Sequence, residues 1–457
     1  MATDCSGLAI PEIAMRMLAE QHKSEVETVF ACDVLPGSQE WLKSLGIGPI
    51  LCDMNMRVWN TNDCHFVTKD LDDKVKRFGK NAAVDLYLCG FVCTPFTPNG
   101  KRAAWVDEHA KTFWSAVKTI SALQPRVAIL ENVKAISNNA NNKVVTKALS
   151  TLSGYIVCYF KLNSLEFGVP QHRPRIYMVA LRKDQLLPML QDKSPNIIQA
   201  YLQRKIDKLK VVDFKTNFHA FLKDLGCPIL PFLKSEQSLQ SEQSLKSDCD
   251  SDDEECGCAN PLALCPLHVC KCSTCNRSKC RTKCVWRHSH SKLTKTTKFK
   301  VARRQYLLMW RKVKKDKTLK TPPSYFEIAN RTGLSTNHIK QPVRRNILHT
   351  LSMAKNMNKK DVILNLGKSI GRNQVRTDGL VPPLGHGCSG FFVPSAARYL
   401  TMPQLMCLSG FHPKLNSEHF AHAKDVSMTD MDLMIGNSMC LPLVGMVMAS
   451  SLSLVVG

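Results

Sequence analysis

Over residues 1 to about 185, short apolar runs alternate with longer amphipathic stretches, and that alternation restricts the chain to an α/β architecture. The expected strands are 28–32 (TVFAC), 49–52 (PILC), 84–89 (VDLYLC), 126–130 (RVAIL), 156–161 (IVCYFK) and 175–181 (RIYMVAL). Helical patterns lie between several of them, at 10–20, 107–122 and 143–152. In open sheets of this kind ligands bind beyond the carboxyl ends of the strands, so the loops that follow them are where chemistry is expected. From 186 to 233 the pattern continues without declaring a fold.

A composition break follows. The pentapeptide SEQSL at 235–239 recurs at 241–245, and six acids lie between Asp248 and Glu255, so 235–255 reads as an acidic linker. Nine of the chain's 20 cysteines then fall between Cys249 and Cys284. Residues 291–320 carry twelve Lys/Arg against one acid, Asp316. From about 370 the chain returns to Gly/Pro-rich loops and two apolar helical stretches, 402–410 and 438–453. Three parts result: a catalytic block (1–185), an inserted region (186–369, with a Cys-rich segment at 249–290) and a C-terminal return (370–457).

The formal net charge of +24 calls for a polyanionic partner, either nucleic acid or an acidic membrane. No run of about 18 apolar residues spans a bilayer, so no membrane partner is expected. The N-terminus has acids and no basic n-region, which argues against a signal peptide. The first strand comes almost at once, so no N-terminal regulatory domain is expected. Many cysteines without a secretion signal fit reduced thiols and a metal cluster better than disulfides.

The segment VDLYLCGFVCTPFTPNGKR sets Cys93 just past a strand, in a loop rich in Pro and Gly. It resembles the nucleophile motif of the DNA cytosine-5 methyltransferases, usually Pro-Cys followed by Gln, Asn or Thr and then Pro-Phe-Ser. Here it stands as Val92-Cys93-Thr94-Pro95-Phe96-Thr97, with Gly100 and Arg102 beyond. Leu130-Glu131-Asn132-Val133 is similar to that family's Glu-Asn-Val motif, and Gln171-His172-Arg173-Pro174-Arg175 to its Gln-x-Arg-x-Arg motif. Arg398-Tyr399-Leu400-Thr401 with Leu408-Ser409-Gly410-Phe411-His412-Pro413 resembles the motif closing its recognition region. Ile435-Gly436-Asn437-Ser438 resembles the Gly-Asn-Ser motif of its last helix. The likeness covers 1–185 and about 370–455.

The resemblance implies a Rossmann-like, S-adenosylmethionine-dependent fold with a mixed, mostly parallel sheet and a large inserted target-recognition region. It also implies transfer of a methyl group to C5 of cytosine in double-stranded DNA, on a base flipped from the stack. Cys93 would add to C6, turning C5 into an enamine carbon, a case of covalent catalysis. A thiol of pKa about 8.5 is mostly protonated at neutral pH and needs help to ionise. Glu131 would hold the N3/N4 edge and help protonate N3. Arg175 would fix the pyrimidine carbonyl, with Arg173 supporting its loop.

For the cofactor, Thr3-Asp4-Cys5-Ser6-Gly7-Leu8-Ala9 resembles the family's first motif, usually Asp-x-Phe-x-Gly-x-Gly-Gly. Gly7 keeps the turn glycine, Ala9 replaces the second and Cys5 the aromatic, so Ser6, Gly7 and Leu8 would line the site. Asp33 would bind the ribose hydroxyls and Asp53 the adenine amino group, with Asn437 and Ser438 closing the pocket from the last helix.

Within the insert, Cys249, Cys256, Cys258, Cys265, Cys270, Cys272, Cys275, Cys280 and Cys284 are expected to bind Zn2+, because thiolates at such spacings close tetrahedral sites. The paired C-x-C units are similar to CXC-type domains, and two ordinary four-ligand sites stay open. Ile328-Ala329-x3-Gly333-Leu334-x4-Ile339 resembles a helix-turn-helix, although Pro342 falls inside its second helix. The basic tract would contact phosphates and serve nuclear import, placing the protein in the nucleus. Two alternatives to DNA methylation remain: methylation of transfer RNA, and a catalytically silent DNA-binding paralogue, the latter motivated by Val92 in place of proline.

Overall fold

A computed structural model describes residues 1–210 and 363–456, apart from 61–63, 97–104, 106 and several short stretches between 366 and 425. The acidic linker, the Cys-rich segment, the basic tract and the helix-turn-helix-like motif lie outside the described residues.

The strands are β1 (Ala2–Asp4), β2 (Phe30–Cys32), β3 (Ile50–Leu51), β4 (Val58–Asn60), β5 (His65–Lys69), β6 (Val75–Gly79), β7 (Leu86–Cys89), β8 (Val127–Val133), β9 (Tyr155–Asn163) and β10 (Pro174–Arg182). After the insert come β11 (Ile363–Asn365), β12 (Val375–Arg376), β13 (Phe391–Val393) and β14 (Arg398–Tyr399). The helices are α1 (Ile10–Gln21), α2 (Pro36–Ser44), α3 (Lys111–Leu123), α4 (Asn139–Leu149), α5 (Pro188–Gln191), α6 (Pro195–Lys208), α7 (Met402–Leu408), α8 (Met428–Asn437) and α9 (Leu441–Leu452).

Seven strands form one sheet in the order β3-β2-β1-β7-β8-β10-β9. β10 runs antiparallel to both neighbours and the rest are parallel, which gives the mixed, mostly parallel sheet that the sequence leads one to expect. Alternation along the strands splits the core in two. Leu86, Leu88, Val127 and Ile129 pack on the side of α1, α6 and α9, while Tyr87, Cys89, Ala128 and Leu130 pack on the side of α3 and α4. Burial on both faces explains why these strands read as unbroken apolar runs.

The helix boundaries have local causes. Pro11 and Pro442 sit in the first turns of α1 and α9, where a missing N–H costs nothing. α3 ends at Gln124, whose left-handed conformation stops the helix. The expected helix at 107–122 starts later, because Glu108–Ala110 form a 3-10 turn.

Three further features were not expected. β4, β5 and β6 form a separate antiparallel sheet, held to the main one by Phe66 and Phe78 around Phe30, with ring centroids 4.9–6.0 Å apart. α6 buries Ile198, Leu202 and Ile206 in the main core, so the catalytic block continues past residue 185 to Lys208. α1 and α9, from opposite ends of the chain, pack side by side. Among the described residues no single helix is long and apolar enough to cross a membrane.

Candidate active site

β1 sits where the strand order turns back, with β2 on one side and β7 on the other, so the switch point at which such sheets bind ligands lies at the carboxyl ends of β1 and β7. Asp4 and Cys89 are partners in register, and the loops beginning at Cys5 and Gly90 therefore emerge side by side.

The second of these loops carries Cys93, a half-buried free thiol. A Cβ on Gly90 would stand 3.1 Å from Met439 Cε, a tight contact, and 3.5 Å from Glu131 Oε2, so the loop passes beside both side chains. Two hydrogen bonds pin the approach to the thiol. Asn132 Nδ2 donates to the Phe91 carbonyl at 2.9 Å, and the Val92 N–H donates to Thr112 Oγ1 at 3.2 Å. Beyond it, the Phe96 N–H closes a turn on the Cys93 carbonyl at 2.9 Å. Phe96 and Phe91 anchor the loop in the aromatic cluster that includes Phe113 and Trp105.

Glu131 lies on β8 and Arg175 at the start of β10. The antiparallel register sets Glu131 opposite Tyr177 and Arg175 opposite Val133, so the two are diagonal neighbours. Arg175 Nε stands 3.0 Å from Glu131 Oε1. Arg175 thus meets this buried oxygen as an ion-pair partner, and no other side chain or backbone group donates to it. Burial pushes the Glu131 carboxyl above its ordinary range, against the pull of Arg175 and Arg173. Burial also raises the Cys93 thiol; Arg175 and Arg173 oppose this and Glu131 adds to it. Cys93, Glu131, Arg173 and Arg175 thus share one electrostatic environment.

Arg173 plays a different part from Arg175. It is buried, and its guanidinium donates to the carbonyls of Leu384 at 2.7 Å, Ser438 at 2.5 Å and Gly436 at 3.5 Å. Burial and the neighbouring Arg175 push its pKa down to about 10, which leaves it charged at neutral pH. It fastens the C-terminal return to the catalytic block.

The cofactor residues gather on the adjoining strands. Gly7 takes a positive φ of 52°, and its N–H donates to Asp33 Oδ2 at 2.7 Å while the Leu35 N–H donates to Oδ1 at 2.9 Å. Burial raises the Asp33 carboxyl, and these two N–H groups oppose it. Ser6 is buried, with Oγ 2.8 Å from Thr3 Oγ1 and accepting from the Cys32 N–H at 3.3 Å. Leu8 is buried, and its carbonyl accepts from Trp41 Nε1 at 3.0 Å. These two shape the turn from beneath. Ala9 keeps the left-handed conformation, φ 59°, although it has a side chain. Asp53 caps the short turn after β3 through the Asn55 N–H at 2.8 Å and is half-exposed.

Asn437 and Ser438 do not belong to the last helix, as the sequence suggested. Asn437 ends α8 and is exposed; Ser438 caps it in extended conformation, donating to the Ile435 carbonyl at 2.8 Å, with Ser409 Oγ 3.0 Å away. Proline cannot sit inside a helix, so α9 waits for Leu441 with Pro442 behind it.

Sequence reasoning missed Met439, which touches the loop beside Glu131, and Arg57. Arg57 forms a fully buried ion pair with Asp4, donates to Thr119 Oγ1 at 2.7 Å and lies 4.6 Å from the centre of the Phe66 ring. Tyr87 Oη donates to Asp4 at 2.6 Å. Asp4 is therefore spent on holding the first turn. Burial works to lower the Arg57 pKa, but the charge of Asp4 outweighs it and keeps the guanidinium protonated. Among the described residues no group of three or more His, Cys, Asp or Glu could hold a metal ion. The nine cysteines expected to bind zinc, Cys249 to Cys284, lie outside the described residues.

Residues 53–256 match the family of C-5 cytosine-specific DNA methylases. Type II methyltransferase M.NgoBI of Neisseria gonorrhoeae is 37% identical over 97 residues, covering 21% of this chain and 31% of that protein. Type II methyltransferase M.HaeII of Haemophilus aegyptius is 39% identical over 98 residues, covering 21% and 30%. The chain spans just under a third of the length of these relatives.

Proposed function

We propose that this chain, residues 53–256 of which match the C-5 cytosine-specific DNA methylases, transfers a methyl group from S-adenosylmethionine to C5 of cytosine in double-stranded DNA. The observation that carries this reading is the convergence of Cys93 with the Glu131–Arg175 pair, 3.0 Å apart, at one end of the sheet.

The thiol of Cys93 must ionise to act, and the two arginines supply positive charge beside it. Its thiolate adds to C6 of a cytosine flipped from the duplex, and electron density moves towards N3 and C5. Burial raises the Glu131 carboxyl above its ordinary range, which favours its sharing a proton with N3, so the adduct forms without a full negative charge on the ring. Arg175 holds Glu131 and turns its guanidinium towards the pyrimidine carbonyl. C5 would then take the methyl group as its bond to the sulfonium breaks and a neutral thioether leaves; loss of the C5 proton to water lets the C6–sulfur bond break, which expels the Cys93 thiolate and frees the product.

The first turn fits the methyl donor. Asp33 is half-exposed and already oriented by Gly7 and Leu35, so a ribose diol can add to its carboxylate. Asp53 offers a second acceptor after the next strand, and Asn437 lies at the exposed end of α8. When bound, S-adenosylmethionine supplies an electrophilic methyl group on a sulfonium. The same reading assigns Zn2+ to the Cys249–Cys284 segment, phosphate contacts to the basic tract and a nuclear location to the protein. Its support is the sequence: nine thiols at ligand spacings and a net charge of +24.

The deciding experiment incubates the protein with tritiated S-adenosylmethionine and either duplex DNA or transfer RNA, beside Cys93→Ser and Glu131→Gln. Label in DNA that vanishes in Cys93→Ser and falls at least about 100-fold in Glu131→Gln is expected. Label only in RNA would move the substrate, and no label with retained DNA binding would reject the enzymatic reading. Elemental analysis tests the metal: less than one zinc per chain counts against it.

A further inference from the structure

The residue before the nucleophile is a valine whose N–H is in use. Val92 donates to Thr112 Oγ1 at 3.2 Å. Thr112 lies in the first turn of α3 and is buried, and its own hydroxyl proton goes to the His109 carbonyl at 2.8 Å. A hydroxyl has one proton, so the oxygen can only accept from Val92, and the direction of the bond is fixed. The neighbouring residue is held as well, by Asn132 Nδ2 on the Phe91 carbonyl. Two consecutive backbone groups are thus tied to two different elements, α3 and β8, immediately before Cys93.

The motif this loop resembles has proline where Val92 stands. Proline would lock φ and bring no N–H. Valine leaves φ free and adds a donor that must find a partner in a half-buried place. We infer that Thr112 is a positioning residue for Cys93, its hydroxyl supplying through the Val92 N–H the restraint that a prolyl ring would otherwise give. This rests on Cys93 being the nucleophile of the proposed reaction.

The test compares Thr112→Val, Thr112→Ser, Val92→Pro and the double variant Val92→Pro/Thr112→Val. Two quantities are read in each: kcat and KM for DNA methylation, and the rate and pH profile of Cys93 alkylation by iodoacetamide, followed by mass spectrometry. Valine at 112 keeps the shape and removes the acceptor, so kcat is expected to fall about five- to ten-fold, as for one lost hydrogen bond. KM for S-adenosylmethionine should hold, and the alkylation profile should move because the thiol is no longer held at a fixed place in the field of Arg175 and Glu131. Thr112→Ser should restore both. In the Val92→Pro background there is no N–H to accept, so adding Thr112→Val should change neither readout by more than two-fold.

Thr112→Val behaving as wild type in both readouts would overturn the inference, as would an equal deficit in the proline background. If Thr112→Val alone fails to fold, the double variant still decides, since it is expected to fold and to match Val92→Pro. Alkylation requires no methyl transfer. A protein that labels no DNA yet shows this coupling refutes the proposed activity and leaves the role of Thr112 standing.

Discussion

Arg173 and Ser438 stand 265 positions apart in sequence, and the guanidinium of the first meets the carbonyl of the second at 2.5 Å. With the carbonyls of Leu384 and Gly436 it forms one buried fastening between the start of β10 and the C-terminal return. Arg173→Ala leaves these carbonyls without their donor. Hydrogen bonds to charged groups are worth about 1.5–3 kcal/mol each, so a loss of about 3–5 kcal/mol in urea unfolding is expected, with activity lost as well. Lysine should restore only part, having no planar fork. A change below about 1 kcal/mol in Arg173→Ala would show that the contacts carry no load.

The Asp4–Arg57 pair is fully buried; Tyr87 and Thr119 add hydrogen bonds to it, while Arg57 Nε has no partner. Removing one partner strands a charge, and Arg57→Met or Asp4→Asn is expected to cost about 3–5 kcal/mol. Replacing both should cost less than the sum of the two. Additive losses in a double-mutant cycle would deny the coupling.

Ala9 holds a left-handed conformation, which costs a residue with a Cβ roughly 1–2 kcal/mol. Ala9→Gly removes that cost and adds some chain entropy to the unfolded state. A net gain of about 0.5–1 kcal/mol is expected, read as a higher urea midpoint. A lower midpoint would mean that the Ala9 methyl, buried in the core beside Ile10 and Ile13, contributes more through packing than its backbone loses.

Glu12 is buried in the first turn of α1. Thr3 donates to its Oε1, Oε2 has no partner, and burial raises its carboxyl. Arg16 and the hydroxyls of Thr3 and Ser6 oppose that rise without cancelling it. The folded state therefore binds this proton more tightly than the unfolded chain does. The stability so gained is present below the ordinary glutamate range and is lost as pH rises through the raised value. Glu12→Gln has no proton to lose, so its advantage over the wild type should be small in acid and grow towards neutral pH. Denaturant midpoints across pH 4–8 check this, and a constant difference would contradict it.

The strands were legible because a strand buried on both faces is an unbroken apolar run, and β2, β7, β8, β9 and β10 fall within a few residues of their expected places. The β4–β6 sheet was not, since it sinks mainly Phe66 and Phe78 and shows polar or charged residues between them. The Gly-Asn-Ser segment was placed one helix too late because 438–453 is apolar without a break, and only Pro442 marks where α9 begins. Cys93, Glu131 and Arg175 could be found by order and residue type. Arg57 could not. A single arginine between Met56 and Val58 announces no partner, and only the fold carries Asp4, on β1, to it. Thr112 and Met439 likewise act through contacts that no local pattern announces.

The packing of α1 against α9 sets a timetable for synthesis. A ribosome adding about 5–20 residues per second needs roughly 20–80 s to travel from the end of α1 to the start of α9. Through that interval Ile10, Ile13 and Leu18 have no last helix to cover them. The nascent chain thus carries this hydrophobic face without its partner helix until α9 has been made.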